Sequence, residues 1–212
     1  MRNSTISKKK SEIAALTAIV AYLGASQIGA ATPTTPPDSA RALIERTVVQ
    51  VLGVLRDQSR TAAQRRLELV KIAHTCFDFR TMARLVLAQD WKRLDAAKRD
   101  EFVDQFITYL SNDYGARLDR YHQEDVEVTG EEPKPHGDVQ VRTKIVGGQN
   151  DGALVDYRMR NGKDGWRIID VVIEGISLVA NFRDQFREVI ARGGPEALLQ
   201  KLKEKNASAA AA

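Results

Sequence analysis

The sequence predicts an α+β fold in which helices come first, an antiparallel four-stranded sheet follows, and helices return. Three observations carry this. Apolar residues recur at helical spacing up to about residue 121. From Val126 to Met159 the pattern changes to alternation, broken by Gly- and Pro-rich turns, and Trp166–Ile173 follows as a β-branched run without Gly or Pro. After Ser177 the helical period resumes. A run of helices, then of strands, then of helices is the signature of segregated layers around one core. The 212 residues, 43 % hydrophobic and 28 % charged, suffice for one such domain.

The elements follow in order. Residues 1–31 read as a secretory signal. Arg2 and Lys8–Lys10 supply a charged start, Ile13 to Ala25 an apolar stretch, and Gly29-Ala30-Ala31 the small residues of a cleavage site before Thr32. Thr17, Ser26 and Gln27 interrupt the apolar run. It falls short of the roughly 20 residues of a membrane span. Without this segment the formal charge drops from +4 to +1, so the basic balance is no argument for nucleic acid. Thr32 to Pro37 is a stiff lead-in. Asp38 is placed to cap a helix over 39–59 with Leu43, Ile44, Thr47, Val48, Val51, Leu52 and Leu55 inward. Thr61 begins a second helix with Leu67, Val70 and Ile72 inward, and Asp78 a third containing Phe79, Met82, Leu85 and Val86, with Trp91 after it. Asp95 begins the longest, whose ladder is Phe102, Phe106, Leu110, Tyr114 and Leu118.

The expected strands centre on Val126–Val128, Val139–Ile145, Ala153–Met159 and Trp166–Ile173. In the last, Ile169, Val171 and Ile173 share one face and Trp166, Ile168, Asp170 and Val172 the other. Ser177 is read as the N-cap of an amphipathic helix with Leu178, Val179, Phe182, Phe186 and Ile190 inward. Gly193-Gly194 ends it, and Pro195 opens a short helix with Leu198, Leu199 and Leu202. The domain then spans 32–206, and 207–212 is a disordered tail.

Catalytic patterns are missing. Gly175-Ile176-Ser177 lacks the second Gly of a nucleophile elbow. Cys76, near His74, sits among apolar residues and reads as a buried structural thiol; as the only Cys it forms no internal disulfide. His74, His122 and His136 show no zinc-type spacing. Asp156 and Asp170, on neighbouring strands, are expected to pair with Arg158, Arg142 or Arg167. Phosphate and dinucleotide loops are absent. No enzyme, metal or cofactor is expected. From periodicity alone the Phe and Leu stripes are plain core.

Phe77-Asp78-Phe79-Arg80-Thr81-Met82-Ala83-Arg84-Leu85-Val86-Leu87, with Trp91, resembles the helical signature of the MlaC family. Val155-Asp156-Tyr157-Arg158, the block from Asp170 to Arg183, and Gly193 to Asn206 resemble its later blocks. Ala88 departs from the expected Gly, and Ile169 from a common aromatic. These are periplasmic phospholipid-binding proteins, also called toluene-tolerance auxiliary proteins. The resemblance implies a monomeric, non-catalytic shuttle with phospholipid as cargo and a deep apolar pocket between sheet and helices. Its implied partners are an inner-membrane Mla ABC transporter complex and an outer-membrane lipoprotein–porin complex. The implied pocket wall is Phe79, Leu85, Trp91, Phe102, Phe106, Val141, Val155, Tyr157, Val172, Ile176 and Val179, with head-group contact through Arg80 or Arg158. The competing readings are a periplasmic adaptor closed on a dry core, or a carrier of another apolar lipid such as a hopanoid.

Overall fold

The computed structural model describes residues 38–118 and 124–210. The expected signal segment and the cleavage site before Thr32 lie outside the described residues.

Side-chain caps set the helix starts. Helix α1 (Ala40–Arg56) begins where Ser39 Oγ accepts the Ala42 N–H at 3.0 Å; Ser39, one residue beyond the expected Asp38, is the cap. Helix α2 (Ala62–Cys76) opens on a capping box. The Gln64 N–H donates to Thr61 Oγ1, and the Thr61 N–H donates to Gln64 Oε1. Helix α3 (Phe79–Leu87) is capped by Asp78, and α4 (Ala96–Leu118) by Asp95. A 3-10 turn (Ala88–Arg93) joins these two. In α2 Leu69 and Cys76 are buried with Ile72 half-buried against the core, and Leu67 is 64 % exposed. The helix is therefore rotated from the expected phase.

Strands β1 (Asp125–Pro133), β2 (Val139–Val146), β3 (Leu154–Gly162) and β4 (Gly165–Ile173) form an antiparallel meander. A fifth strand, β5 (Ile176–Ser177), pairs with β4, so the sheet has five strands and not four. The extra hairpin turns through Glu174 and Gly175, whose φ values are 49° and 76°. Two consecutive positive φ values are the geometry of a two-residue type I′ turn. Ser177 ends β5 and caps α5 (Leu178–Ala210), accepting the Ala180 N–H at 3.0 Å.

Register decides the faces. Val141 pairs with Tyr157, and Tyr157 with Val171, while Val155 pairs with Ile173. Between Arg158 and Met159 the register shifts, because Ile169 is an extra residue on β4. Met159 therefore pairs with Ile168, which joins Val171 and Ile173 on the inner face. This corrects the strict alternation, which groups Ile168 with Val172 and not with Val171 and Ile173. Helix α1 packs across β1 to β4, α2 and α3 reach β4, and α4 lies behind against α5.

The α4–α5 contact is aromatic. Phe106 meets Phe182 and Phe186 edge-on, and Tyr109 meets the same two rings. Helix α5 breaks at Gly194, where φ 76° and ψ −179° admit glycine alone, and Pro195 starts the second arm. That arm continues to Ala210, through residues expected to be a tail. Ala207, Ala209 and Ala210 are the best helix formers, and Ser208 Oγ donates back to the Glu204 carbonyl.

Candidate functional site: an apolar crevice beside a basic cleft

Two concavities meet at Phe77. The first is an apolar crevice between α1, α2 and the inner face of the sheet. Ile44, Val48 and Val51 of α1 form one wall, Ala73 and Cys76 of α2 another, and Tyr157 and Ile168 the floor. It holds only about 10 Å³ of free space. Burial pushes the Cys76 thiol up to about 12 and raises the Tyr157 phenol as well. Cys76 is thus a buried free thiol, as its apolar neighbours in sequence indicate.

Phe77 is held in place by the backbone. It bridges in parallel to Ile168, and the Asp78 N–H donates to the Ile168 carbonyl at 2.9 Å. On its far side lies a cleft of about 480 Å³ between α3 and the β3–β4 hairpin. Arg80, Arg84, Arg160, Lys163 and Arg167 line it, with Trp91. Arg80 stands 5.6 Å from the Trp91 ring centre and also pairs with Asp100.

The expected wall residues are only partly brought together. Val141, Val155 and Tyr157 share the inner face of the sheet, and Tyr157 reaches the crevice. Trp91 lies in the basic cleft. Phe79 stacks on Phe77, with ring centres 5.3 Å apart, but lines neither space itself. Phe102 stacks on Phe106, which is committed to the α4–α5 contact. Leu85 is half-buried, its carbonyl accepting from Nε and Nη2 of Arg183. Val179, in the first turn of α5, donates its N–H to Asp170 Oδ1. Ile176 is 44 % exposed at the sheet edge. Val172 is misplaced by the expectation. It pairs with Asp156 and Ser177 and so faces opposite to Tyr157, which pairs with the neighbouring Val171; Ile168, which strict alternation puts on the same face as Val172, is parted from it by the Ile169 bulge.

Missing from the expected wall were Ile44, Val48, Val51, Ala73, Phe77 and Ile168. The buried stripe of α1 was the available signal, but sequence could not show that it faces β3 and β4.

The two strand carboxylates do not behave as expected. Asp156 accepts from Gln140 Nε2. Asp170 binds the start of α5: Ser177 Oγ donates to its Oδ2 and the Val179 N–H to its Oδ1. Burial raises its carboxyl against those hydrogen bonds. The ion pair of this face belongs to Asp138, whose side chain is fully covered between Arg158 and Arg160. Burial alone would raise Asp138, but the Arg160 and Arg158 guanidiniums outweigh it and hold the carboxyl below its ordinary range. Arg158 is thereby spent on a structural pair. Among the described residues no group of three or more His, Cys, Asp or Glu side chains could hold a metal ion. Nor is any described helix long and apolar enough to cross a membrane.

The family model for MlaC protein matches residues 45–204, most of the chain. The chain belongs to the MlaC family. A curated relative, the toluene tolerance protein ttg2D of Pseudomonas putida, is 30 % identical over 95 residues. That stretch is 44 % of this chain and 43 % of the relative, so the match spans less than half of the relative's length. The phospholipid-binding protein of Ralstonia solanacearum, solved in complex with a phospholipid, has a similar fold. It matches with a TM-score of 0.73 at 25 % identity, covering 81 % of this chain and 98 % of that one. The MlaC fold thus extends here across both the crevice and the basic cleft.

Proposed function

We propose that this chain is a periplasmic phospholipid carrier, exported with residues 1–31 removed, that takes up lipid tails between α1, α2 and the inner face of the sheet. The observation that carries this is the apolar crevice bounded by Ile44, Val48, Val51, Ala73, Tyr157 and Ile168, in a fold similar to that of a lipid-bound protein. A two-chain lipid has about 30 methylene groups, and exposing them all costs on the order of 20 kcal/mol. A carrier must therefore enclose most of both chains. The crevice at about 10 Å³ is far below the roughly 300–1,000 Å³ of an ordinary ligand pocket. Loading therefore requires α1 and α2 to part from the sheet. Its partners are an inner-membrane Mla ABC transporter complex and an outer-membrane lipoprotein–porin complex. Transfer between them needs no bond-making, only a partner that opens the route, so the chain acts as a carrier and not as an enzyme.

The small crevice volume favours one other reading, an adaptor with a permanently dry core. Native mass spectrometry of protein purified without detergent separates the two. Co-purified phospholipid is expected, and a folded Ala73→Trp variant, with bulk in the crevice, should carry little. A wild-type protein that neither carries lipid nor takes it from vesicles is the adaptor.

A further inference from the structure

The basic cleft differs from the other arginine-rich concavity of the molecule. The groove beside the α5 break, about 710 Å³, is lined by Arg93, Arg183, Arg187 and Arg192. Each of these is already spent: on Asp90, on the Leu85 carbonyl, on Asp184 and on Glu188 respectively. The cleft beyond Phe77 holds five cations against the carboxylates of Asp78 and Asp164. Asp78 accepts the Thr81 N–H as the cap of α3. Arg80 and Arg160 are paired with Asp100 and Asp138, and Arg167 donates to the Trp166 carbonyl. Among the described residues Arg84 and Lys163 make no ion pair. They stand on opposite sides of the cleft, one on α3 and the other in the β3–β4 turn. A concave surface with surplus positive charge on two rigid elements is built to hold an anion.

We infer that this cleft is the head-group end of the lipid site and favours a net anionic phosphodiester, with Arg84 and Lys163 as the selecting charges. The position supports it. Phe77 is a wall of both spaces, so a lipid whose tails enter the crevice leaves its phosphate on the cationic side of that ring. Trp91 and Phe77 supply apolar surface beneath the glycerol region. The inference rests on the carrier reading and adds the choice of head group. Each exposed cation beside a phosphate is worth roughly 1.5- to 5-fold in affinity, so two give a moderate preference and not an absolute one.

The test is capture from vesicles of equal phosphatidylglycerol and phosphatidylcholine, with the bound lipid quantified by mass spectrometry. Wild-type protein should hold the anionic lipid in excess of its share by about 2-fold or more. An Arg84→Gln/Lys163→Gln double variant should approach the vesicle ratio, and should lose less capture from vesicles of phosphatidylcholine alone than from vesicles of phosphatidylglycerol alone. Lipid taken by the wild type in the vesicle ratio, or a variant that keeps the enrichment, overturns the head-group inference and leaves the carrier reading standing. If no lipid of either kind is taken, both fall. Titration with inorganic phosphate, followed by NMR, covers the other source of this chemistry. Phosphate binding that the double variant loses, with anionic-lipid enrichment intact, would make the cleft a free-phosphate site and overturn the inference.

Discussion

Replacing Ala88 with glycine should stabilise the protein. Ala88 ends α3 with φ 51° and ψ −115°, a conformation that a residue with a Cβ rarely adopts. Its N–H donates to the Arg84 carbonyl, and one turn earlier Arg183 of α5 grips the Leu85 carbonyl with two nitrogens. The end of α3 is thus fixed by a neighbouring helix, and the chain must turn sharply to place Trp91. The strain of such a residue is of order 1–3 kcal/mol. Glycine removes it but loses more chain entropy on folding, roughly 0.5–1 kcal/mol. Mid-range values of the two leave a net gain of about 1 kcal/mol, and for a domain of this size each kcal/mol moves Tm by about 2–4 °C. The Ala88→Gly protein should therefore melt about 2–4 °C higher by circular dichroism. Ala88→Val, with a branched Cβ, should melt lower than wild type. An unchanged or lowered Tm for a native-like Ala88→Gly protein would refute the reasoning. The same backbone is the physical reason that a glycine is expected at this position.

Two further predictions concern titratable groups. With its pKa pushed from 9.0 to about 12, Cys76 carries about 1,000-fold less thiolate than an ordinary thiol near neutral pH. A thiol reagent should label the native protein slowly and the denatured protein quickly; native labelling at the rate of an exposed thiol would show the α2 wall to be open. Asp138 is held below its ordinary value, so its contribution is full above about pH 4 and is lost as pH falls through the folded-state value. Asp138→Asn should cost about 1–3 kcal/mol at pH 7 by denaturant unfolding, with the gap to wild type closing in acid. A gap that is constant with pH would mean that charge pairing with Arg158 and Arg160 is not its source.

What the sequence determined is what local chemistry determines. Thr61, Asp78, Asp95 and Ser177 were legible as caps because a cap bonds an N–H two or three residues away. The meander was legible because alternation and glycine turns lie within single strands and their links. The α3 signature, with the blocks around Tyr157 and Asp170, was enough to recognise the family. The rest depended on contacts distant in sequence. Leu67 fits a helical stripe as well as Leu69 does, and only the position of the sheet and α1 decides which is covered. Strand β5 is two residues long, too short for a period, and its turn begins with Glu174, not with a glycine. One bulge at Ile169 parts Ile168 from Val172 and sets it on the face of Val171 and Ile173. A bulge leaves no mark in the alternation of its own strand, since it exists only relative to the partner. The crevice and the basic cleft are likewise absent from any one segment. They form where α1, α2, α3 and the β3–β4 hairpin converge on Phe77, and that convergence is fixed by burial of the common core.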